Sequence, residues 1–167
     1  MRLLSLLPIF LCMPAFASEG DGLFLAPNVH LASSAPSSGQ SGELIDTAGY
    51  QHWSGNNSVP VRFTTFVARS SEDWNRLWSN IGMEAPGRYP DDKIAIGIML
   101  GSRPTDGYNV RVTSLRKLAS GLAVVYLETK PSNPQSARKT VTSPWVVMLA
   151  PKTEGSVRFI PQSMAGY

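Results

Sequence analysis

Apolar residues recur along this chain in two rhythms. Trp74, Leu77, Trp78 and Ile81 fall at i, i+3, i+4 and i+7, the spacing of one helix face, which predicts a helix over 71–81. Ser70 stands at the N-cap position with Asp73 three residues on, a capping-box-like pattern, and Gly82 supplies the stop. Elsewhere the rhythm is that of strands. Lys93–Leu100 and Leu122–Leu127 are nearly unbroken apolar runs, expected as interior strands covered on both faces. Tyr108, Val110 and Val112 alternate with Asn109, Arg111 and Thr113, and Gly121 closes a hairpin turn from 110–118 back into 122–128. Val61–Ala68, Trp145–Ala150 and Val157–Ile160 read as further strands. Residues 43–58 are ambiguous, with Leu44, Ile45, Tyr50 and Trp53 compatible with a short first strand. About six mostly antiparallel strands around one amphipathic helix predict an α+β, mainly β fold, either sandwich-like or a single curled sheet.

The ends of the chain have a different make-up. Arg2, the apolar stretch Leu3–Met13 and the small-x-small site Ala15-Phe-Ala17 predict a signal peptide over 1–17, cut after Ala17. That places the protein in the periplasm or outside the cell, with no membrane span after cleavage, since a span needs roughly 20 apolar residues. Cys12, the one cysteine, falls inside this leader, so no disulfide is expected. Residues 18–42 are rich in Ser, Pro and Gly and are expected to be a disordered arm, followed by a single β-rich domain over 43–167. Charge is uneven. Residues 18–99 hold five basic and nine acidic side chains, whereas residues 100–167 hold nine basic and three acidic. This bias suits an acidic partner, such as an anionic envelope polymer met by Arg138 and Lys139. No aromatic-basic platform for nucleic acid is visible.

Candidate chemistry is sparse. The two histidines, His30 and His52, lie far in sequence from the loops, and no Gly-x-Ser-x-Gly elbow is present. Asp91-Asp92 lacks a third ligand at useful spacing, and no cofactor fingerprint appears. A non-catalytic protein without metal or cofactor is expected. Two loops carry the better case for function. Gly101-Ser-Arg-Pro-Thr-Asp-Gly-Tyr108 joins two strands; Pro104 stiffens it, Gly107 allows a positive φ, and Tyr108 offers a flat face with a hydroxyl tip. Thr142-Ser-Pro-Trp145 is a second proline-set turn that delivers an aromatic to a strand start. Arg103, Pro104, Thr105, Asp106, Gly107 and Tyr108, with Thr142, Ser143, Pro144 and Trp145, are therefore the candidate partner-binding residues.

These motifs carry a resemblance. Leu100-Gly-x-Arg-Pro-Thr-x-Gly-Tyr108, the hairpin and Thr142-Ser-Pro-Trp145, with Ser70, Trp74 and Trp78 upstream, resemble the C-terminal domain of PrcB-type protease-complex proteins over about 60–160. Asp106 stands where that family often has a second glycine, and Trp145 where Tyr is usual. The resemblance implies an exported, non-catalytic protein that associates with and stabilises a protease complex. Pro104–Tyr108 and Pro144-Trp145 are also similar to two loops of the chagasin-type cysteine protease inhibitors, which implies a loop wedged into a protease cleft. The middle glycine-rich loop of those inhibitors is missing from Ser132–Ala137.

Overall fold

The computed structural model describes residues 42–162. The expected leader, Cys12, His30 and all of the expected arm except Gly42 lie outside those residues. In chain order the elements are β1 (Glu43–Ile45), β2 (His52–Gly55), β3 (Thr64–Ala68), α1 (Ser71–Ile81), β4 (Lys93–Met99), β5 (Asn109–Leu118), β6 (Gly121–Thr129), β7 (Trp145–Pro151) and β8 (Ser156–Pro161). They form two four-stranded sheets, β1-β5-β6-β8 and β2-β7-β4-β3. All pairings are antiparallel except β6 with β8. The expectation of a mainly β fold holds, in its sandwich form. About six strands were expected and eight are seen among the described residues. The additional ones, β1 and β2, are only three and four residues long. Segments so short take their conformation from the strand they pair with, not from their own propensity.

Strand parity builds the layers. Ile94, Ile96 and Ile98 of β4 and Val146, Met148 and Ala150 of β7 point one way, into a core shared with Leu115, Leu122, Val124 and Tyr126 of the facing sheet. The alternate residues, Ala95 and Met99 of β4 with Trp145, Val147 and Leu149 of β7, point the other way and pack with α1. Both central strands are therefore buried on two faces, which is why they read as unbroken apolar runs. In β5 the register shifts between Val112 and Ser114. This bulge turns Leu115 inward on the same side as Val110 and Val112, and Thr113 Oγ1 donates to the Val125 carbonyl at 3.2 Å.

Helix α1 begins and ends where its caps dictate. Ser70 has extended backbone and its hydroxyl accepts from the Asp73 N–H at 3.1 Å. The reciprocal bond departs from a standard capping box: Asp73 Oδ2 accepts from the Arg69 N–H, one residue before the cap, at 3.4 Å. Gly82 takes φ 84° at the C-terminus. The stripe of Trp74, Leu77, Trp78 and Ile81 is buried against the sheet. Leu77 seats over Gly97 in mid-strand, where a Cβ would lie 2.5 Å from Leu77 Cδ1. The missing side chain lets the helix approach.

Two substitutions test this layer. Gly97→Val, which places new carbons where Leu77 sits, is expected to cost about 1–3 kcal/mol by overpacking. Trp145→Ala is expected to cost about 3–5 kcal/mol by opening a cavity. Urea unfolding reads both, and a wild-type midpoint in either variant would show that the contact does not hold the helix.

Candidate functional site

The β4–β5 connection is shaped by Arg103. Its backbone N–H donates to the Thr142 carbonyl at 2.7 Å and its carbonyl accepts from the Thr142 N–H at 3.0 Å, a two-bond bridge between the candidate loops. Its guanidinium grips Glu128 at the end of β6 through both carboxylate oxygens, Nε to Oε1 at 2.8 Å and Nη2 to Oε2 at 3.0 Å. Nη1 donates back to the Leu100 carbonyl at 2.8 Å. The pair is partly shielded, with side chains 23% and 30% exposed. Hydrogen bonding to Glu128 holds the guanidinium above the ordinary arginine value, against the opposing pull of burial. The planar fork matches the carboxylate in a way a lysine ammonium does not. Arg103 Cζ also lies 6.0 Å from the centroid of the Tyr108 ring, at the outer limit of a cation–π contact.

Further along, Thr142 Oγ1 donates to the Thr105 carbonyl at 3.0 Å. The Asp106 carboxylate accepts from the Arg138 backbone N–H at 2.8 Å and from its Nε at 3.0 Å. The glycine often found at position 106 in the resembled family offers no such anchor. Gly107 has φ 83°, and a Cβ there would come 2.8 Å from Pro131. The loop is thus tied at Arg103, Thr105 and Asp106 to the 138–142 segment, and Pro104 is exposed between those ties.

The structure brings all ten candidate residues to one end of the sandwich, where they play different parts. Pro104 and Gly107 are exposed, and Arg103, Thr105, Asp106 and Tyr108 are partly exposed. Thr142, Ser143, Pro144 and Trp145 are buried. Trp145, 5% exposed, belongs to the core beneath α1. The expectation of an aromatic presented by the second loop is corrected on this point: strand parity sends position 145 to the helix side. Ser143 is a stitch. Its N–H donates to the Asn56 carbonyl at 2.7 Å, and its hydroxyl meets Ser58 Oγ at 2.9 Å and the Pro60 carbonyl at 3.1 Å. No histidine is among these partners.

Residues 94–149 match the family described as PrcB C-terminal. The resemblance carried by the two loop motifs is therefore borne out, over a narrower span than 60–160. The PrcB C-terminal match takes in β4, β5, β6 and most of β7, which are the two central strands of each sheet. It leaves outside it the four edge strands and α1, with Ser70, Trp74 and Trp78. No curated protein and no solved structure matches the chain. Among the described residues no helix is long and apolar enough to cross a membrane.

Sequence reasoning missed several residues here. Glu128 lies 25 positions from Arg103 and carries no local signal. Val61, Phe63 and Val141 are large apolar side chains exposed by 73%, 48% and 67%. Val61 adjoins the loop through the bond from the Ser102 N–H to its carbonyl, 3.0 Å, and Val141 precedes the Arg103–Thr142 bridge. Phe63 stacks on Tyr126 at 5.8 Å. Of the two cations expected to meet an anionic polymer, Arg138 is already engaged by Asp106.

The Arg103 linkage makes a direct prediction. Arg103→Lys keeps the charge but loses the fork, so the amides of Arg103 and Thr142 are expected to exchange with solvent about tenfold faster or more, while Val124 in the core is unchanged. Hydrogen exchange followed by NMR is the check, and unchanged protection at both amides would mean that the backbone bridge stands without the guanidinium.

Proposed function

We propose that this chain is an exported, non-catalytic protein-binding module that associates with and stabilises a protease complex, docking through the rim at 103–108. The observation that carries this reading is a rim fixed before any partner arrives. Its backbone is bonded to the neighbouring loop at three points, and Pro104, Tyr108, Val61 and Val141 stand at its surface. A preorganised loop loses little entropy on binding, and exposed apolar side chains beside an aromatic suit the centre of a protein interface. The PrcB C-terminal match supports the same class of partner, an exported protease or envelope complex. The buried residues 142–145 act in this reading as the base on which the rim rests.

The test is a pull-down from the native envelope fraction with the tagged chain, read by mass spectrometry beside Tyr108→Ala and Val141→Asp. Both changes fall on side chains outside the two core clusters, so melting temperatures should stay near wild type. A protease or its accessory subunit retained by wild type, with affinity reduced about 30-fold by Tyr108→Ala, is the expected outcome (about 2 kcal/mol). Equal retention by all three proteins would sink the rim as the docking surface.

A further inference from the structure

On the other side of the sheet that carries β7, an open groove of ≈ 640 Å³ runs between β2 and the C-terminal end of α1. Trp53, Trp78 and Trp145 form its walls, with Gly55, Asn57 and Met83 among the residues at its margin. We infer that this groove is a binding site for an extended peptide segment, which pairs as an added strand with β2 and lays an apolar side chain against the tryptophans. The site is separate from the rim at 103–108 and does not rest on it.

Three observations converge on that occupant. The first is the open edge. Among the described residues β2 lies at the end of its sheet and pairs only with β7. The Leu149 N–H donates to the Gln51 carbonyl at 2.9 Å, so with this register Gln51, Trp53 and Gly55 turn their backbone toward β7. His52 and Ser54 turn theirs outward. Outward N–H and C=O groups bordering an apolar channel are what an added strand requires.

The second is the wall itself. Trp78 is 1% exposed and its indole N–H has no hydrogen-bond partner. A buried donor left in this state costs on the order of 1–3 kcal/mol. Trp53, half-buried, leans edge-on against both Trp74 and Trp78 at 5.7 and 5.5 Å. Met83 is 55% exposed at the margin, an adaptable apolar side chain with nothing over it. An occupant that covers Met83 and the exposed part of Trp53 supplies what this wall lacks.

The third is charge. Glu84 is the one charged side chain among the described residues lining the groove. The last turn of α1 has no basic residue to offset its carbonyl pole. The groove therefore favours a peptide with an aromatic or aliphatic anchor near Lys or Arg over an acidic one.

The experiment pans random twelve-residue peptides displayed on phage against the whole chain, then titrates the best binders, made synthetically, into ¹⁵N-labelled protein. Enriched sequences are expected to pair an apolar anchor with a nearby cation. The indole N–H signals of Trp53 and Trp78 should shift saturably as the groove fills. Ser54→Pro removes an outward N–H at an edge position where proline is tolerated, and Met83→Lys removes the apolar margin and repels the peptide's cation. Each should weaken binding at least tenfold, and Tyr108→Ala should leave it unchanged. If Ser54→Pro lowers the melting temperature, Met83→Lys alone decides. Binders that neither variant weakens, binders that leave both indoles unmoved, or panning without enrichment would overturn the proposal. So would indole shifts caused by cellohexaose or maltohexaose and not by any peptide, which would mark a groove for neutral glycans.

Discussion

The constraint on which this structure rests is the double burial of β4 and β7. On one face they pack Ile94, Ile96 and Ile98 with Val146, Met148 and Ala150 into the sandwich, and on the other Ala95 and Met99 with Trp145, Val147 and Leu149 under α1. Burial of that kind fixes register firmly, because a slip by one residue exchanges two cores of unlike shape. It also fixes where the connections emerge. Leu100 and Pro144 continue the ladder past the strand ends, with the Leu100 N–H donating to the Pro144 carbonyl at 2.8 Å. The two loops that follow begin side by side because their strands do, and the Arg103–Thr142 bridge prolongs the pairing into the surface.

Much of this was legible in the chain. The helix bounds follow from Ser70 and Gly82, and the central strands from apolar runs that no amphipathic element would show. Edge strands were the harder part. His52–Gly55 has one strong apolar residue and Glu43–Ile45 spans three positions, so neither holds enough pattern to be told from a loop. The loop site divides in the same way. Pro104, Gly107 and Tyr108 announce a shaped turn locally. Glu128 and Arg138 enter through tertiary contacts across 25 and 32 positions, a distance at which periodicity is silent. Trp145 was visible as an aromatic after a proline turn, yet which face it takes depends on the parity of β7. That parity is settled only when β4 pairs beside it.

The PrcB C-terminal match falls on an instructive part of the fold. It spans the inner pair of strands in each sheet and the loops between them, and stops short of every edge. Central strands are bound on both sides by neighbours, and β4 and β7 by core on both faces as well, so their sequences are narrowly specified. Edges need only one partner and can be rebuilt in many ways. The rim at 103–108 belongs to the inner, specified part. The groove beside β2 belongs to the outer part, where this chain has placed its helix and most of its tryptophan.

All four tryptophans, Trp53, Trp74, Trp78 and Trp145, stand in one edge-to-face chain with neighbouring centroids 5.4–5.8 Å apart. None lies in β1, β5, β6 or β8. The protein's tryptophan emission therefore originates entirely from the helix-bearing side of one sheet. Its brightness and colour record the wetting of that layer, and the opposite sheet, lit only by tyrosine and phenylalanine, can loosen without dimming it.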